Sequence, residues 1–313
     1  MVKRVEVAAA VITRPDGSFL LGQRAPDTFY GGYWEFPGGK VEAGETPRAA
    51  LIRELEEELG IAVQAAHPWL MREHHYEHAH VRLHFFEVPQ WTGTPADHVH
   101  SALVWQQAEG EAVSPMLPAN GPIMKALRLP RRMAITHAGE IGEVAQLAAL
   151  DRALAKGLSC VRVREPGFDA TRLRDFAGQV LARCQAHGAL CVLPLALQDM
   201  AAGLGRVGGT HLTGAELAQA SARPDCEWVG ASCHSRAELE RAAELGLDYA
   251  LLGSVLPTAT HPGGASLGWS AFTDLVRELP LPVIALGGLS AAELDIAKAA
   301  GAHGVAGIRS FWS

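Results

Sequence analysis

Between residues 133 and 308 the chain repeats one unit. Short apolar runs fall at 133–136, 159–163, 190–193, 209–212, 228–232, 249–253, 282–286 and 304–308. Segments rich in Ala, Leu, Glu and Arg lie between most of them, such as "SRAELERAAELG" at 235–246 and "SAAELDIAKAAG" at 290–301. Runs of this length read as strands and the intervening segments as helices. Strands joined through helices pair in parallel, because a parallel neighbour cannot be reached through a tight turn. Eight such strands are the number that closes a (β/α)8 barrel, and that is the expected fold over 130–313; an open doubly wound sheet is the alternative. Fewer residues are available than the roughly 250 usual for this barrel, so some of its helices must be short.

The first part of the chain is built differently. Alternating patterns predict strands at 4–13, 18–24, 70–76, 80–88 and 102–106, and the spacing predicts one helix at 47–59, so a mixed α+β domain is expected over 1–129. A proline-rich stretch containing a short helical run, 123–129, separates the two parts, with the boundary at Leu129-Pro130-Arg131-Arg132. The net charge of −7, of which residues 1–130 carry −5 (11 Lys and Arg against 16 Asp and Glu), argues against a partner that is polymeric nucleic acid, which needs a basic face. No apolar run approaches the ~18 residues of a membrane span, and "MVKRVEVAAAVITRPDG" alternates and ends in a turn, so it reads as a first strand rather than a leader. The five cysteines (160, 184, 191, 226, 233) form no C-x-x-C pair and read as reduced thiols of a cytoplasmic protein. Nothing in the sequence fixes an oligomeric state.

The acidity has a focus at "RELEEELGI", residues 53–61. On a helix, Glu54, Glu57 and Glu58 stand at i, i+3 and i+4 and share one face, where like charges repel by a few tenths of a kcal/mol per pair. A solvated acidic face is one reading. The other is a site for hard divalent cations, which bind through carboxylate oxygens and substrate phosphates. Gly38-Gly39 just upstream would let the backbone come close to a bound ion or phosphate.

The full spacing, Gly39, five residues, Glu45, seven residues, then Arg53-Glu54-Leu55-Glu56-Glu57-Glu58-Leu59-Gly60-Ile61, resembles the Nudix box of hydrolases that cleave nucleoside diphosphates linked to another moiety. The resemblance implies that Glu54, Glu57 and Glu58 bind metal (Mg²⁺, with Mn²⁺ as the alternative), that Gly39 contributes its carbonyl, and that Glu45 and Arg53 orient the loop against the helix. It makes Glu54 the first candidate for the general base. "YWEFPGGKVEAGETP" and "PANGPI" are similar to the MutT type of this family across about 3–129. That similarity implies a nucleotide substrate contacted by Arg24, by the backbone around Phe36, and by Asn120, whose amide suits a purine edge. Locally, Asn120 also reads as a helix N-cap. Two positions depart from the type. Val99 stands where a further catalytic glutamate is expected, leaving Asp97 or His98 to substitute, and Ala79 replaces an arginine near the base. The histidines at 74, 75, 78, 80 and 84 read as solvated or substrate-flanking strand residues rather than a zinc site, with His80, Arg82 and His84 on one strand face.

The second part resembles the thiamine monophosphate synthase and TenI group across about 131–310, through "VRVRE", "GGTHLTGAEL", "VGASCHS", "DYALLGSVLPTATHPG" and "PVIALGGLS". The resemblance implies a thiamine-related phosphate bound at Gly287-Gly288 and at Gly304 to Gly307, read as strand ends, with Arg164 nearby and His234 as an acid or base. A structural role serves His234 equally well. The synthase pattern Q-x-R-x-K lacks its lysine at Arg162-Val163-Arg164-Glu165-Pro166. An Asn-Asp is missing at 193–195, and an Asp at 213–216. Synthase activity is therefore not expected. Three functions compete: an 8-oxo-dGTP-type diphosphatase, a hydrolase of thiamine pyrophosphate or damaged thiamine precursors, and a non-enzymatic sensor of a phosphorylated ligand.

Overall fold

The computed structural model describes residues 4–77, 79–258 and 266–312. Contacts divide the chain into two compact units, residues 1–129 with Arg277–Pro280, and Pro130–Val276 with Leu281–Ser313.

The first unit contains β1 (Arg4–Ile12), β2 (Phe19–Gln23), β3 (Trp34–Glu35), β4 (Gly38–Lys40), α1 (Pro47–Leu59), β5 (Ala62–His75), β6 (His80–Thr92), β7 (Ala102–Gln106) and α2 (Gly121–Leu127). One sheet has the order β4-β1-β6-β5, mixed because β1 runs parallel to β6 and antiparallel to β4; a second has the order β3-β2-β7. Alternation along β1 serves two cores. Ala8, Ala10 and Ile12 meet Leu51, Leu55 and Leu59 of α1, while Ala9 and Val11 meet Phe19, Phe36, Phe85 and Ile123. The sheet holding β1 is thus covered on both faces, which buries His84 on the central strand β6; its Nε2 lies 2.7 Å from Glu6 Oε2. This corrects the expectation of a solvated histidine there. Nearby, His80 reaches Glu73 at 3.2 Å and stacks on His75; His78 lies outside the described residues.

The second unit is a closed barrel in the order β10-β11-β12-β13-β14-β15-β8-β9, every neighbouring pair parallel. Its elements are β8 (Arg132–Ile135), α3 (Ala138–Ile141), α4 (Glu143–Ala155), β9 (Cys160–Arg162), α5 (Ala170–Ala186), β10 (Leu190–Pro194), α6 (Gln198–Ala201), β11 (Gly208–Leu212), α7 (Gly214–Gln219), β12 (Trp228–Cys233), α8 (Arg236–Glu244), β13 (Tyr249–Gly253), α9 (Gly268–Val276), β14 (Val283–Leu286), α10 (Leu294–Ala299) and β15 (Gly304–Gly307). The open sheet is excluded. Economy of length shows in α3 and α6, of four residues each. Gly304 opens β15 instead of ending it, so of the two glycines Gly307 alone stands at the C-terminal end of that strand, the end where barrels of this type carry their sites. All five cysteines are free and buried. Among the described residues no helix is long and apolar enough to cross a membrane.

Candidate active site

Helix α1 is set by its ends. The Thr46 hydroxyl accepts the Ala49 N–H at 3.2 Å, Pro47 follows the cap, and Gly60 closes the helix in the left-handed region. Burial of Ala50, Leu51, Leu55 and Leu59 fixes its rotation, so Glu57 is left open to solvent while Glu54 is mostly covered. Arg53 joins loop to helix. It grips Glu45 with two nitrogens at 2.9 and 3.0 Å, donates to the Lys40 carbonyl at 3.2 Å, and reaches Glu54 at 3.0 Å and Glu57 at 3.2 Å. The guanidinium beside it holds the Glu45 carboxyl down to about 2.

The Gly38–Gly39 segment lies directly on the acidic face. Gly38 N–H donates to Glu58 Oε2 at 3.2 Å. A methyl group built on Gly39 would fall 2.2–2.4 Å from the Glu54 carboxyl atoms, so only glycine permits this approach. Burial pushes the Glu58 carboxyl up to about 7; the Gly38 N–H opposes the shift, and the Glu54 and Glu35 charges add to it. Burial also raises Glu35, against the pull of the Arg24 guanidinium bound to it at 2.7 and 2.8 Å. Glu35, Glu54 and Glu58 thus share a partly buried space with Arg24 and Arg53. Among the described residues no three His, Cys, Asp or Glu side chains already surround one point. The donor set still suits a hard cation: carboxylate oxygens, and a backbone that can lie against them because residue 39 has no side chain.

Around this face, Phe36 is buried between Phe19 and Phe85, with centroids 5.8 Å from each, so its ring belongs to the core. Asn120 is buried and stands at the N-cap position of α2, but its side chain makes no capping bond; its amide nitrogen donates to Met116 Sδ at 3.8 Å, a weak acceptor. Val99 is exposed. His98 is tied to the end of α1 through its N–H to the Glu58 carbonyl (3.1 Å) and its Nδ1 at 3.2 Å from the Glu57 carbonyl.

The barrel carries a cavity of about 800 Å³ lined by groups that follow several strands, among them Arg162, Arg164, Ser232, His234, Gly288 and Arg309. Gly287 and Gly288 have φ of +104° and +68°, and a Cβ on either would run into Ser254 Cα at 2.6 Å or the Pro257 carbonyl at 2.5 Å. His234 Nδ1 lies 3.0 Å from the Gly253 carbonyl. Deeper in the barrel a polar chain crosses three strands: Tyr249 OH to His211 Nδ1 at 3.0 Å, and His211 Nε2 to Ser232 Oγ at 2.9 Å.

Residues 3–126 match the NUDIX domain family and residues 132–311 match the family described as thiamine monophosphate synthase. The chain is 42% identical to an Escherichia coli CTP pyrophosphohydrolase over 40% of its own length and 92% of that protein. It is 32% identical to the E. coli 8-oxo-dGTP diphosphatase over 41% of this chain and 98% of that one. A thiamine-phosphate synthase of Thiobacillus denitrificans is 32% identical over 51% of this chain and 77% of its own. The chain is a Nudix hydrolase fused to a member of the thiamine monophosphate synthase family.

In the Nudix domain the structure brings Glu54, Glu58, Gly39, Glu35 and Arg24 to one place, and leaves the Phe36 side chain out of it. Glu35 is the participant that sequence reasoning missed; its signal was a carboxylate in a short apolar setting, "WEFP", with Arg24 eleven residues before it. In the synthase-family barrel, Arg164, His234, Gly287 and Gly288 line one cavity as a set. Arg162, Ser232, His211 and Tyr249 were not singled out as site residues, although Arg162 stands two residues before Arg164 and lines the same cavity.

Proposed function

We propose that the Nudix domain is a Mg²⁺-dependent nucleoside triphosphate pyrophosphohydrolase that releases a nucleoside monophosphate and pyrophosphate, with an 8-oxo-dGTP-like purine as its substrate. The observation that carries the reading is the Glu54–Glu58 face packed against Gly38–Gly39. Glu54, Glu57, Glu58 and the Gly39 carbonyl would hold the cation, which when bound neutralises phosphate charge and lowers the pKa of a coordinated water. Glu54 takes the proton of the attacking water. Arg53 keeps Glu54 in place and ties the loop through Glu45, while Arg24, anchored on Glu35, and the backbone at Phe36 receive the nucleotide. Asn120, buried and only weakly partnered, is suited to reading the base edge.

A second reading, a pyrimidine triphosphate such as CTP, is favoured by the 42% identity to a CTP pyrophosphohydrolase. Turnover of 8-oxo-dGTP, dGTP, CTP and thiamine pyrophosphate with Mg²⁺ distinguishes the substrates. Glu54→Gln should lower kcat by ~10²-fold or more with the fold retained. Asn120→Ala should cost roughly 1–3 kcal/mol of base discrimination. Normal turnover by Glu54→Gln would refute the site. Equal losses on every base would make Asn120 structural. For the barrel we infer a thiamine-related phosphate at Gly287-Gly288, without synthase activity.

A further inference from the structure

Arg162 ends β9 and is 7% exposed. Its chain neighbours Val161 and Val163 are buried, while Arg162 lines the barrel cavity. Its Nε has no hydrogen-bond partner, and no ion pair reaches the guanidinium among the described residues. A buried charge without an ion-pair partner is unfavourable unless something compensates it. Glu216 is the carboxylate whose charge reaches Arg162, yet it forms no ion pair with the guanidinium and receives the Thr213 N–H and hydroxyl through one oxygen, at 2.7 and 2.9 Å. Arg164 adds a second positive charge to the same cavity, and Ser232 adds a hydroxyl. Burial pulls Arg162 down to about 10, which still leaves it charged at neutral pH.

We propose that the barrel cavity binds a small oxyanion group, a carboxylate or a phosphate, on Arg162, separately from anything held by the Gly287-Gly288 turn. The fork of a guanidinium matches both anions through paired N–H bonds, whereas an ammonium offers a point charge. This inference does not rest on the phosphate reading of the glycine turn. A ligand that used both places would carry two anionic groups.

The test uses the full chain in EDTA with three probes: inorganic phosphate, formate, and selenate for crystallographic location. Arg162→Met keeps the length and removes the charge. Without anions this variant should melt at a higher temperature than the parent, because an uncompensated charge has gone. Phosphate or formate should bind the parent at least tenfold more tightly than the variant, and selenate should lie within hydrogen-bond distance of the guanidinium. Arg162→Lys should retain part of the phosphate affinity and lose that for formate. Preference for phosphate over formate assigns a tetrahedral anion, and the reverse a carboxylate. A lower melting temperature for Arg162→Met together with unchanged anion affinity would show a structural arginine and overturn the proposal. Selenate seen at the glycine turn but never at Arg162 would overturn it as well.

Discussion

Gly39 is where the Nudix domain can tolerate least. The space a methyl group would take is held by the Glu54 carboxylate, itself fixed by Arg53 at 3.0 Å. Gly39→Ala must therefore push Glu54 off the face or move β4 away from β1. We expect hydrolysis to fall by ~10²-fold, since displacements near 1 Å cost about that much. Thermal stability should change far less than in a variant that opens the core. An alanine variant of normal activity would show that Glu54 is free to move without consequence. Sequence spacing revealed that Gly39 and Glu54 belong together; it could not reveal that the contact is steric, because that depends on the pairing of Ala8 with Gly39 across the sheet.

At the level of elements, legibility followed periodicity. Helix α1 occupies 47–59 as read, because its cap, its buried leucines and its closing glycine agree. The barrel strands fell within two residues of their expected bounds, since each is a continuous apolar run between helices. Strands β3 and β4 were not legible: two and three residues around Pro37 show no period. Strand β5 begins at Ala62, ahead of the expected 70, because register shifts at Val63/Ala65, Ala65/His67 and Pro68/Leu70 break its alternation. The polar chain across β11, β12 and β13 was hidden for another reason, as each member lies on a different strand. It predicts a pH dependence. Burial, and then the Arg162 charge, holds His211 well below its ordinary value. The folded barrel therefore excludes the proton that the unfolded chain takes up below about pH 6.5. Stability from this site is complete above that pH and declines as the pH falls below it, by at most about 1.4 kcal/mol per unit. Denaturant melts of parent and His211→Gln between pH 7 and 5 should show a shallower slope for the variant; parallel slopes would refute the assignment.

For the whole molecule, the barrel belongs to the synthase family yet lacks charged groups at three positions of the synthase pattern. Pro166 stands at the terminal lysine of the synthase pattern. The missing Asn-Asp falls where Pro194 leads into an apolar 3-10 turn, Leu195–Leu197, and the missing Asp falls in the Thr213–Glu216 capping box. Electrostatic groups of this kind contribute ~3 kcal/mol or more apiece. The full chain, given a pyrimidine diphosphate and a thiazole phosphate, should form no thiamine phosphate, as followed by a coupled assay; steady synthesis would mean that other residues replace the missing three. Barrel closure itself carries a different consequence. Strand β15, at 304–307, is the piece that joins β14 to β8. During synthesis, β8 is made first yet waits about 170 residues for its partner on that side. Until then the nascent sheet keeps two raw edges, the configuration that invites pairing between chains. A pause in translation before residue 304 would thus prolong an interval in which the open sheet is exposed to pairing between chains.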